Sequence, residues 1–209
     1  MLSLRRPDTA AIQSHFERQA RLGFSYDEVG ATRTAADGEI QGLGAGNIVD
    51  HNRVKLGVGK DVFARARQAL HRWEMFNIGW AELCWPTAPV EVDQTVGVMM
   101  HAGVAWSLNV CRIVYVVDEK SDDANAADRS SRRIDRHGFA YGTLPDHAKS
   151  GEERFLVEHD REDDSVWYDL LAFSRPGSLL ARVGHRPVRR LQKRFARHSL
   201  RAMSRAAAS

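Results

Sequence analysis

Apolar side chains first recur every four residues, at Ile12, Phe16 and Ala20. This spacing predicts a helix over Thr9–Leu22, with Asp8 placed to cap its start and Gly23 its end. Phe24–Gly30 is a candidate first strand, and the weakly patterned, Gly- and Ala-rich stretch Thr32–Asn52 reads mostly as loop. Beyond the turn Gly57-Val-Gly-Lys-Asp, the residues Val62, Ala66, Ala69, Leu70 and Trp73 fall on one helical face. A second helix is therefore expected from an Asp61 cap to about Phe76.

From there the period drops to two and β-forming residues take over. Trp80–Trp85, Thr95–Met100, Ala105–Asp118, Gly138–Leu144, Glu152–His159 and Val166–Phe173 are six strand candidates. Turn chemistry such as Pro86-Thr-Ala-Pro89, His101-Ala-Gly103 and Asp160–Asp164 separates them, and connections that short favour antiparallel neighbours. Residues 119–135 are polar and rich in Asp and Ser, and are expected to be a flexible linker within the sheet. The C-terminal segment, residues 177–206, turns helical again: a short turn over Ser178–Val183, a break at Gly184 and Pro187, and then a long helix to Ala206 with Val188, Leu191, Phe195, Ala202 and Met203 as its apolar stripe.

Together these elements predict an α+β fold: a curved antiparallel β-sheet of about six to seven strands wrapping a long C-terminal helix, in one domain over residues 1–209, with an N-terminal helical segment at 1–23. That order matches a helix-grip domain, in which a cavity lies between sheet and terminal helix. In such a cavity Tyr141, Thr143, Glu153, Arg154 and Arg175 are the expected polar contacts, with Trp73 and Trp80 as apolar wall, and a volume of several hundred cubic ångströms is expected.

Composition leaves this picture intact, since 43% hydrophobic and 27% charged residues suit a folded chain rather than a disordered one. The most apolar run, Val96–Val117, is broken by His101, Asn109 and Arg112, so no membrane span is expected. The first residues lack the apolar core of a secretion signal, and a cytoplasmic location is expected. Charge adds an asymmetry. From Phe173 onward there are ten Lys and Arg and no Asp or Glu, leaving −7 for the rest of a chain whose net charge is +3. Such a tail either packs on its own acidic body or meets an anionic membrane or nucleic acid.

Little catalytic chemistry is written as a motif. Gly42-x-Gly44-x-Gly46 lacks dinucleotide spacing, and Gly57-Val-Gly-Lys60 has neither the Ser or Thr nor the earlier Gly of a phosphate loop. The nine His and two Cys show no metal-ligand spacing, so neither metal nor cofactor is expected. The densest group is Tyr141 to Phe155. Alternation along a strand from Glu152 puts Arg154, Leu156 and Glu158 on one face and Glu153, Phe155 and Val157 on the other, sending one carboxylate inward with the apolar set. There Glu153 either pairs with an arginine, Arg175 being the expected partner, or serves as an acid or base. His147 is the other candidate for acid–base work.

Phe139-Ala-Tyr-Gly-Thr-Leu-Pro-x-His147, Gly151-Glu-Glu-Arg-Phe155, Ala172-Phe-Ser-Arg-Pro176 and the Arg-rich end closely resemble the domain-of-unknown-function 1990 family, also called uncharacterised protein family 0548. Tyr26-x-x-Val-Gly30-Ala-Thr, Leu56-Gly-x-Gly59 and Trp73-x-Met-Phe-x-x-Gly-Trp80 resemble it too, so the likeness runs from about Phe24 to Met203. It assigns no reaction. A distant kinship with the START-like (SRPBCC) helix-grip superfamily would imply a small apolar or amphipathic ligand, with cyclase- or hydrolase-like chemistry as the alternative.

Overall fold

A computed structural model describes residues 1–35, 38–121, 133–147, 149–176 and 185–208. Its elements are β1 (Leu2–Ser3), α1 (Thr9–Ala20), β2 (Ile48–Val58), α2 (Lys60–His71), a 3-10 turn (Glu74–Phe76), β3 (Ala81–Leu83), β4 (Thr95–Ala102), β5 (Ala105–Glu119), β6 (Ile134–Thr143), β7 (Lys149–Asp160), β8 (Ser165–Pro176) and α3 (His185–Ala208). Seven strands run in the order β2-β8-β7-β6-β5-β4-β3, every neighbouring pair antiparallel, with the two-residue β1 added beside β5.

Period-two alternation gives this sheet two different faces. The inner face carries Phe139, Phe155, Val157, Tyr168 and Leu170, and it packs against Ala66, Ala69 and Leu70 of α2, the 3-10 turn, and Phe195, Met203 and Ala207 of α3. The outer face carries Met99, Leu108 and Val110 under α1, whose Ile12 and Phe16 meet them. Bulges between Lys55 and Gly57 and between Ile113 and Tyr115 bend the sheet. At Gly138 the strands come so close that a Cβ would lie 2.1 Å from the Phe155 carbonyl oxygen, which only glycine permits.

Several expectations are corrected. Thr32–Asn52 is not all loop, because β2 begins at Ile48 and pairs with β8 along its length. Phe24–Gly30 is a series of bends rather than a strand, held by the Ser25 N–H bond to the Thr143 carbonyl (3.0 Å) and by the side chain of Tyr26. Asp8 caps α1 as expected, accepting from the Ala11 N–H at 2.8 Å. Asp61 instead lies within the first turn of α2, whose cap is Gly59, and the helix stops at His71 because Trp73 takes a left-handed backbone (φ 56°). The ends of the 119–135 segment belong to β5 and β6, while residues 122–132 lie outside the described residues, as does Ser178–Val183. α3 starts two residues before Pro187 and ends at Ala208. Among the described residues no helix is long and apolar enough to cross a membrane.

Candidate functional site

Adjacent carboxylates on β7 take opposite faces and different tasks. Glu152 points outward and is buried, accepting hydrogen bonds from the Tyr26 hydroxyl (2.9 Å), the Gly30 N–H (2.7 Å), the Thr32 N–H (3.0 Å) and the Thr32 hydroxyl. It ties the segment after α1 to the sheet. Glu153 points inward between sheet and α3, where the Tyr141 hydroxyl donates to it at 2.7 Å. Loss of water raises its carboxyl to about 7, against the opposing pull of the Tyr141 hydrogen bond and the Lys149 ammonium.

Glu153 stands in the wall of a cavity of about 270 Å³, just below the roughly 300 to 1,000 Å³ usual for ligand pockets. Its lining is mostly apolar: Val98 and Met100 from β4, Cys111 from β5, Phe76 from the 3-10 turn, and Leu191 and Phe195 from α3. Tyr141, Thr143, His147, Lys149 and Gln192 add polar groups. A second space, about 560 Å³, opens on the β2 side of α3 between Asp50, Asn52, Arg190, Lys193 and Arg197. Glu153, Ala172 and Gln192 border both spaces, so one partition separates an apolar chamber from a charged groove.

Two neighbours of Glu153 are basic groups held away from their ordinary state. His147 is pushed down to about 4 by desolvation, and its Nδ1 accepts from the Lys149 N–H at 3.0 Å, which leaves that nitrogen without a proton. Lys149 is lowered to about 8, again mainly by desolvation. Its Nζ donates to the Ser174 hydroxyl (3.2 Å) and to the Gln192 side-chain oxygen, both neutral partners. The nearby Asp50 carboxylate is engaged by Arg189.

The residues expected at the site divide. Tyr141, Thr143, His147 and Glu153 line the apolar cavity. Arg154 does not, because alternation turns it outward. There it donates to the Thr32 carbonyl (2.8 Å) and to Asp169 (3.1 Å), fixing the outer loop. Arg175 lies on the same outer register as Phe173 and acts on Glu28, so the expected pair with Glu153 is replaced by Tyr141 and Lys149. Trp73 belongs to the core, its indole N–H bonded to the Ala88 carbonyl at 2.8 Å. Trp80 braces α3, donating to His198 (3.3 Å) with Arg194 over its ring at 4.8 Å. Sequence reasoning missed Lys149. The signal was available, since 149, 151 and 153 share one face once β7 is extended three residues towards the turn.

Among the described residues no group of His, Cys, Asp and Glu is placed to hold a metal ion. A family described as "Domain of unknown function (DUF1990)" matches residues 25–202. A UPF0548 protein of Dictyostelium discoideum is 29% identical over 100% of this chain and 97% of its own. One from Deinococcus radiodurans is 32% identical, covering 99% of each. One from Arabidopsis thaliana is 34% identical over 76% of this chain and 72% of its own. Among solved structures, a hypothetical protein from Helicobacter pylori aligns with a TM-score of 0.48 at 11% identity, over 80% of this chain and 91% of that one. Ara h 8.0201 aligns with a TM-score of 0.45 at 9% identity, over 78% of this chain and 100% of that one.

Proposed function

This chain belongs to the DUF1990 family, and from that premise we propose that it binds a small apolar or amphipathic molecule between the inner sheet face and α3. The observation that carries the proposal is the chamber itself: a space of about 270 Å³ with apolar walls and a few polar groups gathered around Glu153. A packed core closes such spaces, because each leaves neighbouring atoms without contacts. The adjoining groove, rimmed by Arg190, Lys193 and Arg197, gives the polar end of an amphipathic ligand a place beside the partition.

A second reading, acid–base catalysis in the same chamber, is favoured by one feature. A carboxyl at about 7 that touches a buried hydroxyl can hold or release a proton at neutral pH. Native mass spectrometry of the protein purified from its own host tests the binding proposal. The expected result is a population carrying one small molecule per chain. A bare protein that also takes up no apolar probe contradicts it.

A further inference from the structure

Lys149 is a half-buried amine at the edge of the apolar chamber. On the inner register of β7 it faces the apolar chamber, with its Nζ held by Ser174 of β8 and Gln192 of α3, and no ion pair to a carboxylate is formed among the described residues. An ordinary surface lysine stays in water or pairs with an acid. This one is half-buried with only neutral hydrogen-bond partners, on the same strand face as Glu153, four residues along. The charged and titratable groups facing the pair are Asp50 on β2, neutralised by Arg189 on α3, Tyr141 on β6, Cys111 on β5, Tyr168 on β8, His147 in the preceding turn and, across the groove that Glu153 borders, Arg190, Lys193, Arg194 and Arg197 of α3. The Tyr141 hydroxyl and the Cys111 thiol are both held protonated by burial, and His147 is held neutral.

We propose that Lys149 captures a small apolar aldehyde or ketone in this chamber as a Schiff base, with Glu153 supplying the proton that lets water leave. This rests on the chamber being a ligand site. The unprotonated Nζ adds its lone pair to the carbonyl carbon, and the carbonyl π pair moves to oxygen. Transfer of an N–H proton and the Glu153 proton to that oxygen then expels one water as the C=N bond forms. Carbonyl compound, amine and one proton become iminium and water, so no oxidant or reductant is consumed. Addition needs a free amine and water loss needs an acid. Desolvation biases both groups towards those neutral forms, lowering Lys149 to about 8 and raising Glu153 to about 7. The apolar walls select the carbonyl compound's tail.

The test combines two measurements on the full chain. Binding of an environment-sensitive apolar dye reports whether the chamber takes a ligand. Incubation with octanal and sodium cyanoborohydride, followed by peptide mapping, reports which of the five lysines, Lys55, Lys60, Lys120, Lys149 and Lys193, becomes alkylated. Lys149 is expected to react roughly 10- to 100-fold faster than the other four at neutral pH. Its rate should peak between about pH 7 and 8, falling below that range as Lys149 takes up a proton and above it as Glu153 loses its own. In Lys149→Met the fold persists by circular dichroism and the fast adduct vanishes. In Glu153→Gln the fold persists likewise and the rate at Lys149 falls about tenfold or more. Dye binding with uniform slow alkylation of all five lysines overturns the Schiff-base inference while leaving the ligand site standing. No dye binding in the unaltered chain overturns the binding reading itself.

Discussion

At the scale of single residues, Glu152 and Glu153 show how one step along a strand changes a carboxylate's role. Alternation made that division legible in the sequence, because the apolar neighbours Phe155 and Val157 fix which of the two turns inward. It could not show that the Tyr26–Thr32 backbone returns to engage Glu152, since those contacts join residues more than a hundred positions apart. Nor could it show that Arg175 falls outward, away from Glu153. Replacing Glu152 with Ala should cost about 2 to 4 kcal/mol in urea denaturation, because four donors lose a buried ionic acceptor. Glu153 gives a pH signature. Its carboxyl is raised from 4.5 to about 7, so between these values the folded chain holds a proton that the unfolded chain releases, and stability falls as pH rises. The contribution is about 3 kcal/mol at most. Glu153→Gln should therefore gain stability relative to the unaltered chain from pH 5 to 8. A difference independent of pH would contradict the burial of that charge. His147, lowered to about 4, works in the opposite sense over pH 4 to 6.5, so the two are separated only by single variants.

At the scale of elements, α2, α3 and six strands were readable because each repeats its apolar side chains at its own period. β2 was not. It is an edge strand whose inner positions Asp50 and Asn52 line the charged groove and whose outer positions His51 and Arg53 meet Asp169 and Glu158, so its middle is polar on both faces and only Val54 and Leu56 reach the core. Two apolar positions are too few for periodicity to report a strand. The Phe24–Gly30 segment failed in reverse. Its aromatic residues look like a strand because they are buried, yet they are buried by docking Phe24 and Tyr26 over the outer face beside Phe173 and Arg112. α3 is both wall and brace: Phe195 packs against Phe76 with ring centres 5.4 Å apart, and Tyr168 and Ser199 join their hydroxyls at 3.0 Å. Phe195→Ala should cost about 3 to 5 kcal/mol, measured by thermal or chemical unfolding. Leu191, half-buried at the chamber wall, can be enlarged instead: Leu191→Trp should keep the fold and fill the space, losing ligand without losing helix.

At the scale of the molecule, the basic C-terminal segment is a built part of the domain rather than a free arm. One face of α3 carries Phe195, Ala196, Ser199, Ala202 and Met203 into the core, and Arg189 reaches Asp50 on β2. The other face leaves Arg190, Lys193, Arg194, Arg197 and Arg201 exposed. Element order alone was enough to anticipate a sheet around that helix. The chamber was not, because a cavity is the volume that many side chains together fail to fill, and no single residue type records it. The most direct test is a titration with an apolar fluorescent probe, run on the unaltered chain and on Leu191→Trp. Saturable binding at one site per chain, lost in the folded Leu191→Trp variant, is the predicted result. Equal binding by both proteins would place the ligand elsewhere and contradict the account.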